Sequence, residues 1–296
     1  MNAKIIPVAC AAAILSGCAT LKEPAPDTLI AHRGESVDAP ENTLPAYRVA
    51  VERGFGFECD IYLSRDGRLF TFHDSDLKRT TAGARTEKCT EASWDETVSK
   101  VNVGGWGKWK GSKFDPTRPA LLEEVLALAR PGRKIYVEVK GGDAAVAWVP
   151  AIKAVFAKEP KATPETVLFI CFSDKTCAEL KRLMPEFQTY WLTTSRKGVK
   201  WDGKDRERPI NSAEDVIARL RACGADGVDI HFDPTVVDAA YVKKVHDAGF
   251  SFHVWTVDNL ERAKQAFAAG ADSLTTNCAK KILDGYLCQA AKGKND

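Results

Sequence analysis

No stretch of this chain is apolar for long enough to cross a bilayer. A spanning helix needs about 20 consecutive apolar residues, whereas residues 5–15 make a run of only eleven, broken by Pro7. An excess of one charge is lacking too: 42 Lys and Arg oppose 40 Asp and Glu, a net charge of +2. That balance gives no bulk attraction to nucleic acid, which is not expected as a partner. Cysteine is plentiful, with nine in 296 residues, yet no C-x-x-C pair and no Cys/His spacing suits a zinc site. Setting aside Cys10 and Cys18 leaves Cys59, Cys89, Cys171, Cys177, Cys223, Cys278 and Cys288. Their number is odd, so at least one thiol stays free or pairs between chains. Export would permit disulfides, and Cys171 with Cys177 or Cys278 with Cys288 can pair.

Residues 1–17 have the form of an export signal. Lys4 supplies the positive start and residues 5–15 the apolar centre. Leu15-Ser16-Gly17-Cys18 then resembles a bacterial lipobox, in which the cysteine is lipidated. Ordinary signal cleavage, with Cys18 a bystander, is the competing reading. Residues 18–27, with Pro24 and Pro26, read as a semi-rigid tether, and 289–296 as a polar tail. The expectation is a protein of the bacterial cell envelope, outside the cytoplasm, whose partner is the membrane through a lipid on Cys18. A basic cluster, Arg196, Lys197, Lys200, Lys204, Arg206 and Arg208, is either a solvated loop or a rim that attracts anionic substrate.

Residues 28–288 have the usual length for eight βα units. Short β-like runs alternate with amphipathic helical stretches, the pattern of a parallel α/β fold. Strands are expected at 29–31, 57–61, 135–139, 167–172, 189–192, 227–230, 252–257 and 273–276. A first helix starts at the N-cap Thr43 and stops at Gly54; others are expected at 121–129, 178–183, 213–223, 236–248 and 260–269. Gly224, Gly249 and Gly270 each follow a helix, where a left-handed cap is favoured. Asp66-Gly67 signals a hairpin turn into 69–72. The fold class is therefore α/β, a (β/α)8 TIM barrel. Residues 75–118, between the second and third βα units, break the rhythm and read as a small rim insertion or an ordinary long loop.

The chemistry concentrates in four strings: His32-Arg33-Gly34, Glu58-x-Asp60, His73-Asp74 and Glu138-x-Lys140. Side chains two apart on a strand share a face. Glu58 and Asp60 therefore oppose Phe57, Cys59 and Ile61, and Tyr136, Glu138 and Lys140 oppose Ile135, Val137 and Val139. Carboxylates on one face and hydrocarbon on the other suit a barrel with helices packed outside. Glu58, Asp60 and Glu138 offer hard oxygen ligands, which favour one divalent cation, Ca2+ or Mg2+, over zinc. The competing reading pairs these acids with Arg33 and Lys140 alone. His32 and His73 are suited to proton transfer, and Arg33 and Lys140 to holding phosphate oxygens. His231 either faces inward near the rim or is a surface or structural residue.

The stretch from His32 to Asp74, with Pro40-Glu41-Asn42-Thr43 inside it, resembles the glycerophosphodiester phosphodiesterase family. Glu138-Val139-Lys140 and Val254-Trp255-Thr256-Val257 are similar to further motifs of that family, and the match runs from about Thr28 to Leu283. The resemblance implies a TIM-barrel enzyme that uses a divalent cation to cleave a small-molecule glycerophosphodiester to glycerol phosphate and an alcohol. It carries metal ligation onto Glu58, Asp60 and Glu138, catalysis onto His32 and His73, and a glycerol-pocket wall onto Trp255, which otherwise reads as a core tryptophan. Glu41 and Asn42 match a motif of the family, or merely cap the first helix. Family members carry a small insertion like 75–118, so Trp106 and Trp109 are expected to meet the substrate's headgroup. One departure stands out: Thr275-Thr276-Asn277-Cys278 replaces an acidic residue and a proline that many relatives have after the threonine. It is expected to affect only the rim. A phospholipase-like phosphodiesterase acting on lipids or glycan-linked glycerophosphoryl groups, and an inactive surface lipoprotein that binds phosphoryl headgroups, are the alternatives.

Overall fold

The computed structural model describes residues 24–195 and 211–292, with side chains described as far as 288. Eight parallel strands close into a barrel: β1 (Leu29–Ala31), β2 (Gly56–Leu63), β4 (Ile135–Val139), β5 (Val167–Cys171), β6 (Thr189–Thr194), β7 (Gly227–His231), β8 (Ser251–Trp255) and β9 (Ser273–Thr276). The ring runs β1-β9-β8-β7-β6-β5-β4-β2 and closes by pairing β1 with β2. A ninth strand, β3 (Leu69–Thr71), returns from the turn at Gly67 and pairs antiparallel with β2. The helices are α1 (Leu44–Glu52), α2 (Leu122–Leu126), α3 (Val149–Phe156), α4 (Asp174–Leu183), α5 (Ala213–Cys223), α6 (Ala239–Asp247), α7 (Leu260–Ala269) and α8 (Ala279–Lys292).

The alternation seen in the sequence separates two apolar clusters. Phe57, Cys59 and Ile61 of β2 and Ile135, Val137 and Val139 of β4 join the large cluster between sheet and helices. Burying a side chain of this size contributes roughly 1.5–3 kcal/mol. Ile30, Tyr136, Leu168, Ile170, Tyr190 and Leu192 form a second, smaller cluster in the lumen. Caps sharpen the helix boundaries. Ser173, Ser212, Asp238 and Asn259 each accept a backbone N–H at a helix start, and Gly224 and Gly270 close α5 and α7 in the left-handed conformation.

Several expected boundaries move. Helix α4 begins at Asp174, because Ser173 caps it one turn before the expected start; α2 is a single short turn of five residues. Thr43 occupies the N-cap of α1, but its hydroxyl donates to Pro40 O instead of capping the helix. Helix α8 continues to Lys292, past residue 288, where the barrel was expected to give way to a tail. No disulfide joins the described cysteines. Cys171 and Cys177 are thiols with Sγ atoms 2.8 Å apart, and Cys278 Sγ turns to Asp258 O instead of Cys288. Cys18, the export signal and the basic cluster at 196–208 lie outside the described residues, in which no helix is long and apolar enough to cross a membrane.

Candidate active site

The site is assembled by an unusual sharing of one strand edge. Strand β1 pairs with β2 only at Gly56 and Phe57, and β3 takes over at Ile61 to Leu63. Since β4 occupies the other edge of β2, β1 and β3 meet end to end on the same edge. His32 follows β1 from below and His73 follows β3 from above, so the two histidines flank Glu58 and Asp60. Asp60 stands in register with Glu138 on β4, which completes the acidic group.

Glu58, Asp60 and Glu138 can each offer an oxygen within 4.8 Å of the others. All three are buried. Glu58 Oε2 accepts the Arg33 backbone N–H at 2.8 Å, and Asp60 Oδ2 accepts from Asn42 Nδ2 at 2.7 Å. Lys140 Nζ donates to Glu138 Oε1 at 2.8 Å and lies 3.3 Å from Asp60 Oδ1. Burial, Asp60 and Glu138 push the Glu58 carboxyl well up. Against its burial, Lys140, His73 and Arg33 hold Asp60 far below the carboxylate range. Glu58 Oε1 and Asp60 Oδ1 remain buried without a hydrogen-bond partner. Orphaned hard oxygens beside mutually repelling acids fit a divalent cation, which would satisfy both at once.

The backbone around this group is strained. Arg33 and Asn42 both adopt left-handed conformations, with φ of 56° and 54°, a state that costs roughly 1–3 kcal/mol for a residue other than glycine. The inversion at Arg33 delivers its N–H to Glu58, and Gly34 follows where a Cβ would lie 2.6 Å from the Ala46 backbone. Asn42 does more than border a helix: its Oδ1 accepts from Tyr47 OH at 2.8 Å and from the Asp60 backbone N–H at 3.1 Å. Glu41 joins Arg33 to Arg79, with bonds of 2.9 Å to Arg33 and 2.6 and 2.9 Å to Arg79.

The two histidines have different partners. His73 Nδ1 lies 2.8 Å from Asp74 Oδ1, and Arg79 Nε donates to Asp74 Oδ2 at 2.6 Å. His32 Nδ1 lies 2.8 Å from Asn277 Oδ1, whose amide is oriented by donation from Nδ2 to Asp258 at 2.8 Å. A carbonyl or carboxylate oxygen only accepts, so each ring carries its proton on Nδ1 and keeps Nε2 for chemistry. Burial, then Arg33, lowers His32 to about 4. The expectation that the Asn277 departure concerns only the rim is therefore corrected: that side chain sets the tautomer of His32.

A cavity of about 650 Å³ opens above these groups. His32, Arg33, Glu58, His73, Glu138 and Lys140 line one side, and Ile170, Phe172, Leu192 and Trp255 the other. Trp255 is half-buried, donates from Nε1 to Asp229 O at 3.1 Å and meets Phe172 edge-on at 5.8 Å; it is a cavity wall, not a core residue. His231 packs edge-on against the same ring at 5.5 Å. Trp106 and Trp109 do not line the cavity, to which the insertion contributes only Ser75 and Asp76. Trp106 instead lies beneath Arg79, 5.0 Å from its guanidinium, and Trp109 packs against Phe114. The roles of Arg79, Asn277 and Asp258 are not legible in the sequence because they depend on partners distant in it. Asp74, already within a recognised string, was the one nearby signal.

Comparison with known proteins agrees with this geometry. The family described as glycerophosphoryl diester phosphodiesterase matches residues 32–281. A glycerophosphodiester phosphodiesterase of Caldanaerobacter subterraneus subsp. tengcongensis is 27% identical over 262 residues, covering 86% of this chain and 96% of that protein. The fold is shared with a phosphodiesterase of Oleispira antarctica solved with its product sn-glycerol 3-phosphate (TM-score 0.72, 24% identity, 88% of this chain and 96% of that one). It is shared as well with a glycerophosphodiester phosphodiesterase of Parabacteroides distasonis (TM-score 0.68, 20% identity, 89% and 98%). Because the family match extends over most of the sequence and takes in every string that builds the site, the chain belongs to the glycerophosphoryl diester phosphodiesterase family and is a phosphoric diester hydrolase.

Proposed function

We propose that the chain hydrolyses glycerophosphodiesters to glycerol phosphate and an alcohol, with a divalent cation, Ca2+ or Mg2+, held by Glu58, Asp60 and Glu138. The observation that carries this reading is the buried acidic group with orphaned oxygens, flanked by two histidines on one strand edge. When bound, the cation would neutralise phosphoryl charge and draw the substrate's oxygens toward the acids. Arg33 and Lys140 bind the remaining phosphoryl oxygens, Arg33 as a fork and Lys140 as a point charge. His32, neutral and hydrogen-bonded to an amide, is the base: Nε2 takes the proton from the attacking hydroxyl. His73, backed by the Asp74 carboxylate, is the acid: it gives a proton to the departing alkoxide as the P–O bond breaks. The attacking hydroxyl is that of water or the neighbouring glycerol hydroxyl, and the same proton pair serves both.

The test is turnover of a glycerophosphodiester before and after exhaustive chelation. We expect activity to fall by at least ~10³-fold, as the loss of several kcal/mol of charge stabilisation requires, and Ca2+ or Mg2+ to restore it better than Zn2+. Full activity at nil metal content would refute the assignment.

A further inference from the structure

Four strands round the ring from β2, and hence across the lumen from Glu58 and Asp60, β7 turns Asp229 into the cavity floor. It is 1% exposed, and neither carboxyl oxygen has a hydrogen-bond partner. Its lateral neighbours offer none. Leu192 stands in register on one side and His253 on the other. His253 Nε2 is 3.8 Å away, beyond hydrogen-bond range, and its ring nitrogens are already engaged by Ser273 and Thr275. A buried carboxyl with nothing to bind is strongly unfavourable, so its place in a cavity wall points to a ligand. Arg33 and Lys140 already match the phosphoryl charge, and the apolar wall of Phe172 and Trp255 offers hydroxyl groups nothing. On the described side chains of that half of the wall, the polar groups left for the hydroxyl-bearing part of the substrate are Asp229 and the hydroxyls of Thr256 and Thr275; Thr275 is engaged by His253, and Asp229 has both carboxyl oxygens orphaned.

We propose that Asp229 is a specificity-determining residue that hydrogen-bonds the hydroxyl groups of the substrate's glycerol arm through its two orphaned oxygens. A hydroxyl both donates and accepts, so it matches a carboxyl in either protonation state. The indole of Trp255 is tied by Nε1 to the Asp229 backbone carbonyl and lines the same cavity. The proposal deepens the reading of this site as a glycerophosphodiester hydrolase and rests on it.

Binding of the product arm tests it without turnover. Calorimetry on the metal-loaded protein would compare sn-glycerol 3-phosphate with n-propyl phosphate, the same chain without hydroxyls. The wild type should prefer the former by roughly 10- to 100-fold, the range for leaving a buried polar group unsatisfied. Asp229→Asn, which keeps a donor and an acceptor, should retain the preference; Asp229→Leu should reduce it to within about threefold. A wild type without preference, or a preference that survives in Asp229→Leu, overturns the proposal. So does an Asp229→Leu protein that loses its metal and weakens for both ligands alike. If that variant does not fold, a structure of the wild type with sn-glycerol 3-phosphate decides. A glycerol oxygen within about 3.2 Å of the Asp229 carboxyl supports the proposal and its absence refutes it. Failure of the underlying hydrolase reading would show separately, as a wild type that turns over no glycerophosphodiester.

Discussion

The two halves of the barrel mouth are built on different principles. On the β1, β2 and β4 side nearly every group facing the cavity is charged, and each is held from behind. Asn277 holds His32, Asp74 holds His73, Glu41 holds Arg33, and Glu138 holds Lys140. On the β5, β6 and β8 side the wall is Ile170, Phe172, Leu192 and Trp255, positioned by packing except that the Trp255 indole also donates to Asp229 O. Hydrogen bonds fix direction as well as place, which proton transfer and charge stabilisation require. Packing fixes only volume. On the proposed function, the first half would serve one phosphoryl group, while the second would meet alcohols of different size.

Breaking the charged half should have the larger effect, and the same one on every substrate. His32→Ala and His73→Ala are each expected to lower kcat by at least ~10²-fold, the lower range for general acid–base catalysis, with little change in melting temperature. The pair should also separate by pH. His32 is unprotonated above about 4, so kcat/KM should fall as pH drops through that value. Asn277→Asp places a carboxylate on Nδ1, favours the charged ring and should move the fall to higher pH; an unmoved profile would remove His32 as the base.

Breaking the apolar half should instead change selectivity. Burying a methylene is worth about 0.8 kcal/mol, nearly fourfold, so wild-type kcat/KM should rise with the first few carbons of the leaving alcohol. Ile170→Ala and Phe172→Ala should flatten that slope and leave metal dependence intact; parallel slopes in variant and wild type would show that the alcohol does not touch this wall. The smallest effect is expected at Trp106→Ala. Its ring supports Arg79 and does not reach the cavity, so the loss should stay within about fivefold, from the ~0.5–1 kcal/mol of such a contact, and be equal for all headgroups. A headgroup-dependent change would reinstate Trp106 as a substrate contact.

Legibility in the sequence followed the range of the interactions. The alternation that puts Glu58 and Asp60 opposite Phe57, Cys59 and Ile61 is local, and strands β1, β4 and β9 ended where the pattern placed them. The acidic group was legible for the same reason, since two strings of period two on paired strands align Asp60 with Glu138. What could not be read were contacts across distance. Asn277 lies 245 residues from His32, and Arg79 reaches Glu41 across 38. Trp106 and Trp109 were misjudged because an aromatic near a mouth in sequence can face either the cavity or the rim's own packing. Asp229 was not legible as a functional residue, because nothing local marks a carboxylate as unpartnered.

The ring closes at a narrow joint, where β1 meets β2 at two residue pairs while β2 meets β4 at five. The groups proposed to hold cation and phosphoryl lie on both sides of that joint, Arg33 after β1 and Glu58 and Asp60 on β2. Occupancy would therefore act as a clasp on one of the short seams of the barrel. By linkage, whatever binds only the closed ring raises its resistance to opening by RT ln(1 + [L]/Kd), so occupancy of the site and the integrity of the fold would be thermodynamically coupled.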